Sequence, residues 1–152
     1  MVRRLAVLVT ACTAFAACGL TEPGSEPERE LMRARARWDA AALGSYQIVV
    51  QRSCECLPEF TRAIRVAARD RTVLEAHYAD TGEPVPAAVA QQPYLTVAGM
   101  FDRIEDALGQ RPDDFHATYE SAYGYPTAIF VDYDRRMADE EFILSARDLL
   151  PQ

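Results

Sequence analysis

The chain contains no lysine. All sixteen basic residues are arginine, set against twenty-three Asp and Glu, which leaves a formal charge of −7 over 152 residues. With so many alanines, that bias most simply reflects a GC-rich bacterial genome. The acidic balance argues against a nucleic-acid partner and against a polybasic contact with anionic lipid headgroups. Histidine is almost as scarce: only His77 and His116 occur, on different predicted strands, and neither has a Cys or His at zinc-finger spacing. The chain lacks a Gly-x-Ser-x-Gly elbow, a glycine-rich phosphate loop and a His-Glu-x-x-His pair. No catalytic residue is therefore assigned, and no cofactor or metal is expected. Beyond the first residues there is no apolar stretch long enough to span a bilayer.

What is present begins at Met1-Val2-Arg3-Arg4, a basic start followed by thirteen uncharged residues from Leu5 to Ala17. That length suits the apolar segment of an export signal and is too short to cross a membrane. Small residues at Ala16 and Ala17 precede Cys18, the layout expected where a cysteine thiol is acylated and the chain then cut before it. Residues 1–17 are read as a lipoprotein signal peptide and Cys18 as the lipidated residue. Cys12 is a rival position with a shorter apolar run before it, and plain secretion after Ala17 is the alternative without lipid. Losing Arg3 and Arg4 with the leader takes the charge from −7 to −9. The expected location is the cell envelope: the outer membrane facing the periplasm in a two-membrane cell, or the outer face of the membrane in a one-membrane cell.

Residues 18–27 are rich in Thr, Glu, Pro, Gly and Ser, which bury little apolar area, and read as a flexible tether. Residues 28–152 read as a single α+β domain, with its first helix placed over 26–43. Ser25-x-x-Glu28 has capping-box spacing; Leu31, Ala34, Trp38, Ala41 and Ala42 follow at helical intervals, with Gly44 as the expected stop. Alternation predicts strands at Tyr46–Gln51, around Ile64–Ala68, and at Thr72–Tyr78. Gly82, Pro84, Pro86 and Pro93 mark 80–94 as an extended loop. Val97, Met100, Phe101, Ile104, Ala107 and Leu108 form a second helical stripe, capped by Thr96 and stopped at Gly109, with Asp102, Arg103, Glu105 and Asp106 on its outer face. Strands follow at 115–120, 127–133 and 141–147. The expected fold is an antiparallel sheet of about six strands with two helices on one face, in the order αβββαβββ. Duplication of an αβββ unit would give that order, although no residue-level repeat supports such an origin.

With Cys12 discarded and Cys18 acylated, Cys54 and Cys56 are the remaining thiols. In an oxidising envelope they are expected to form a disulfide. Residues two apart in an extended strand have α-carbons about 6.5 Å apart, near the upper limit for that bond, and a bend at Glu55 would shorten the distance. A redox-active pair and a Cu(I) site remain open as alternatives. The acidic residues Asp132, Asp134, Asp139, Glu140 and Glu141 lack the ligand ladder of an EF-hand and read as a solvated strand end and turn.

Several segments together carry a resemblance: Ala36-Arg37-Trp38 before Tyr46, Arg52-Ser53-Cys54-Glu55-Cys56, Thr81-Gly82-Glu83-Pro84-Val85, and Met100-Phe101-Asp102-Arg103-Ile104-Glu105. Tyr119, Tyr123-Gly124-Tyr125-Pro126-Thr127 and Val131-Asp132-Tyr133 continue it. In this order the motifs resemble a family of small bacterial secreted proteins and lipoproteins, the domain of unknown function 6174 type, over about residues 29–148. The resemblance implies a sheet with two helices on a lipoprotein and brings no catalytic residues.

The function expected from the sequence is that of a membrane-anchored, non-enzymatic binding or structural domain, whose partner is an envelope protein or a small ligand. The loop from Asp80 to Pro93 and the exposed aromatics Tyr123 and Tyr125 are the candidate binding surface. Packing of both tyrosines within their turn is the alternative. A thiol-redox or copper-handling protein using Cys54 and Cys56 is the second functional reading.

Overall fold

The computed structural model describes residues 24–152. The leader, Cys18 and most of the tether lie outside the described residues. Helix α1 (Glu26–Ala41) starts where the capping box predicts. The Glu28 backbone N–H donates to the Ser25 hydroxyl at 3.4 Å, and the Ser25 N–H donates to the Glu28 carboxylate at 2.6 Å. The helix begins at Glu26, the start expected from the sequence, so it includes the last two residues of the segment 18–27. It ends on Ala42 in the left-handed conformation, before the expected stop at Gly44.

Strands β1 (Tyr46–Ser53), β2 (Ile64–Arg69) and β3 (Thr72–Tyr78) form one antiparallel meander. The segment expected to be an extended loop is partly helical instead, with α2 at Ala87–Ala90 and a 3-10 turn at Pro93–Leu95. It buries Val89, Tyr94 and Leu95, apolar residues that draw the chain back onto the core. Helix α3 (Val97–Gln110) follows. The Thr96 hydroxyl accepts the Gly99 N–H at 3.1 Å, as a cap should. The helix runs through Gly109 and ends before a left-handed Arg111. A second meander, β4 (Asp114–Tyr119), β5 (Pro126–Asp132) and β6 (Phe142–Pro151), completes the chain.

The six strands make one antiparallel sheet in the order β3-β2-β1-β6-β5-β4. Pairing of β1 with β6 at the centre joins the two meanders. This order does not match a duplicated unit: β1 is central, whereas β4, its counterpart in a second copy, lies at an edge. Tyr46, Ile48, Val50, Ile64, Val66, Ile129, Val131, Phe142 and Leu144 are buried together with Leu31 and Ala34 of α1 and Met100, Phe101, Ile104 and Ala107 of α3. The opposite sheet face is more polar, with Arg65 and Arg147 flanking Val49 in register. Tyr46 locks the layers together, because its hydroxyl accepts the Val97 N–H at 2.9 Å where α3 begins.

Candidate functional site

The two histidines lie on β3 and β4, the opposite edges of the sheet, so they cannot share a ligand. Among the described residues no cluster of His, Cys, Asp and Glu is arranged to hold a metal ion. Within the acidic segment 132–141, two residues serve local structure. Asp134 pairs with Arg136 at 2.8 Å, which lowers the Asp134 carboxyl pKa, and Glu140 accepts the Asp134 backbone N–H.

Tyr125 is only 6% exposed, which corrects its assignment to an exposed binding surface. It packs into the core, and half-buried Tyr123 lies against the same cluster. The turn has its own structural reason. Gly124 has φ +80°, and a β-carbon there would lie 2.3 Å from the Ala34 carbonyl oxygen, so only glycine lets this turn approach α1 so closely. The Glu120 carboxylate accepts the Tyr123 and Ala122 N–H groups at 2.6 and 2.9 Å, and these bonds hold its pKa below the ordinary value. The loop from Asp80 is likewise fastened: Arg62 pairs with Asp80 at 2.6 Å and lies 3.6 Å over the Tyr78 ring.

The chemistry gathers elsewhere, where the core opens at the end of β1 and the start of β6. Inward alternation in β1 runs through Tyr46, Ile48 and Val50, and the next inward position is Arg52, in register with buried Leu144. Across from it, Arg103 projects from α3. The sequence placed Arg103 on the outer helix face; instead its guanidinium carbon lies 4.4 Å from the centre of the Phe142 ring and 5.7 Å from that of Tyr133. Arg52 lies 5.5 Å from the Phe142 ring and 5.9 Å from the Tyr94 ring. Tyr94 and Phe142 meet edge to face at 5.7 Å. Burial pushes the Tyr94 phenol pKa up, and the Arg52 charge partly opposes this.

Neither arginine forms an ion pair among the described residues, and the Nε atom of each is buried without a hydrogen-bond partner. Asp102, one residue before Arg103, is committed elsewhere: it pairs with Arg71 and approaches Arg35 at 3.8 Å, and its carboxyl pKa is lowered by Arg71 first. Arg52, Arg103 and Phe142 form the common wall of two adjoining clefts. One, of about 360 Å³, reaches Gln92, Tyr94 and Asp106. The other, of about 500 Å³, reaches Glu55, Asp139, Glu141 and the two cysteines. Cys54 and Cys56 form a disulfide with α-carbons 5.3 Å apart, shorter than an extended strand allows, because the chain bends at Glu55. In that state neither sulfur is a thiolate available to copper. Arg52, Arg103, Tyr133 and the cysteines all fall within segments that carried the sequence resemblance, although their meeting at one cleft was not legible there.

The geometry defines an α+β domain: one antiparallel sheet, helices on a single face, and a charged cleft at the open end of the core. The chain belongs to the family described as Family of unknown function (DUF6174), whose model matches residues 30–151. No curated protein and no solved structure matches it. No helix among the described residues is long and apolar enough to cross a membrane.

Proposed function

We propose that the protein is a bacterial envelope lipoprotein, anchored through acyl groups on Cys18, whose domain binds a ligand without transforming it. The anchor rests on the sequence of the leader. The binding reading rests on one observation: Arg52 and Arg103 are held on aromatic rings beside open clefts with no carboxylate paired to either. An uncompensated guanidinium held in place in a concavity favours an anionic group on a ligand. Loss of side-chain freedom, a cost that usually weakens such contacts, is reduced because stacking already restrains both arginines.

Native mass spectrometry of the full chain released from bacterial envelopes tests both parts. The expected species starts at Cys18, carries acyl groups, and retains a non-covalent small ligand that the Arg52→Gln/Arg103→Gln variant lacks. An unacylated chain would refute the anchor, and a wild-type chain recovered as bare of ligand as the variant would refute the binding site.

A second reading is favoured by the position of the disulfide. Cys54 and Cys56 line the larger cleft, and Cys56 is exposed, so an incoming thiol has access to it. On this reading the pair exchanges with thiols of a ligand that the arginines hold.

A further inference from the structure

We infer that the cleft accepts a small zwitterion of the amino-acid or short-peptide class, its carboxylate on Arg52 and Arg103 and its ammonium on the acidic wall opposite. This deepens the binding reading above and rests on it. Opposite charges stand apart within one cavity. The larger cleft is lined by both arginines and also by Glu55, Asp139, Glu140 and Glu141, yet none of these carboxylates forms an ion pair with either guanidinium.

Opposite charges on flexible side chains would ordinarily close on each other. Here both walls are restrained. Arg103 lies against the Phe142 ring with Tyr133 nearby, and Arg52 lies within cation–π distance of Phe142 and Tyr94. On the other wall, the backbone at Asp139 is left-handed, with φ 68°, and neighbouring Glu140 is tied to the Asp134 N–H. The bonded cysteines limit the freedom of Glu55 between them. Positive and negative side chains thus line one cavity without pairing.

A ligand filling this space must satisfy both walls. A purely apolar ligand would strip water from the charges and return no hydrogen bond. A dianion such as phosphate would find the arginines but also face four carboxylates. A simple amine would meet the acidic wall with two guanidiniums behind it. A ligand with one carboxylate and one ammonium complements both walls, since guanidinium offers a fork of donors to carboxylate and ammonium donates to carboxylates. A cavity of about 500 Å³ accommodates a ligand of that size.

Calorimetric titration of the full chain in detergent, with triglycine, N-acetyl-triglycine, triglycine amide, methylamine and inorganic phosphate, tests the assignment. Triglycine is expected to bind at least tenfold more tightly than either capped form, than methylamine and than phosphate. Arg103→Gln should abolish triglycine binding. Asp139→Asn/Glu141→Gln should leave the free and N-acetylated peptides within twofold of each other; asparagine tolerates the left-handed backbone at 139, so this variant keeps the fold. Unfolding midpoints of both variants check that they are folded. Equal affinity for capped and free peptide, tighter binding of phosphate or methylamine, or no binding by any probe would overturn the zwitterion assignment. Should phosphate bind and Arg103→Gln remove it, the cleft would stand as a binding site while the ligand class fell. Triglycine binding that survived Arg52→Gln/Arg103→Gln would remove the site itself.

Discussion

The guanidinium of Arg103 stands 4.4 Å above the Phe142 ring, and Phe142 is itself a core residue, 5% exposed. A charge from α3 therefore rests on a rigid floor supplied by β6. Packing of the core and geometry of the cleft are thereby coupled through one side chain. Phe142→Ala is expected to cost about 3–5 kcal/mol, the usual range for emptying a buried phenylalanine, and to release both arginines. Phe142→Leu retains much of the volume and is expected to cost far less, yet to weaken ligand binding because the ring is gone. Urea unfolding with parallel titration of the bound ligand separates the two effects.

Tyr46 links β1 to the first turn of α3, and Tyr46→Phe would leave the Val97 N–H buried without its acceptor. The expected loss is about 1–3 kcal/mol in denaturant unfolding.

The same tyrosine gives a pH signature. Burial raises the pKa of Tyr46, and that of Tyr119, to about 12 from 10. An unfolded chain releases these protons near pH 10, whereas the folded chain holds them until about 12. The stability they contribute is thus complete below pH 10 and lost as pH rises toward 12, with a slope of up to about 1.4 kcal/mol per pH unit for each group. Unfolding free energies measured from pH 9 to 12 should show this fall, and it should be shallower in Tyr119→Phe.

Two glycines of α3 should respond in opposite directions to alanine. A β-carbon at Gly99 would lie 1.9 Å from the Pro93 carbonyl oxygen, so Gly99→Ala must push the helix away from the 3-10 turn that carries Tyr94. At Gly109 nothing lies within 4 Å, and the position is helical. Gly109→Ala is therefore expected to add about 0.5–1 kcal/mol, and Gly99→Ala to lower the thermal midpoint. Thermal unfolding of the two variants checks the contrast.

Much of this architecture could be read from the residues. Thr72–Tyr78 forms a strand with the bounds expected, and the apolar stripe from Val97 to Ala107 faces the core. Helix ends were less legible because left-handed caps fall on Ala42 and Arg111, residues with no special preference for that backbone. The 80–94 segment looked open because prolines dominate its composition, while the few apolar residues that bury it are scattered. The cleft was the hardest to foresee. Arg52 continues the inward alternation of β1, but a charge at such a position looks like the end of the pattern. Arg103 was grouped with its acidic helix neighbours by residue type, although it borders the buried stripe and leans onto a ring from β6. Tyr125 misled in the other direction: a turn rich in tyrosine and glycine resembles an exposed loop, yet the glycine serves close packing against α1.

The disulfide encloses a single residue, so its effect on chain entropy is small. Cys54→Ser/Cys56→Ser should shift the thermal midpoint only slightly. Intact mass after mild reduction of the native protein should show both thiols becoming available to alkylation without global unfolding, since Cys56 is exposed. A pair that resists alkylation until the domain unfolds would end the thiol-exchange reading.

If Arg52 and Arg103 hold a ligand in the cell envelope, that ligand must shield them from a reagent specific for guanidinium. Arginine footprinting with phenylglyoxal, read by peptide mass spectrometry, detects such shielding whatever the ligand is. Arg52 and Arg103 are predicted to react at least several-fold more slowly in intact envelopes than in the purified, ligand-stripped full chain. Arg136, exposed and paired with Asp134, should react alike in both. Equal modification of Arg52 and Arg103 in the two preparations would contradict their role in binding.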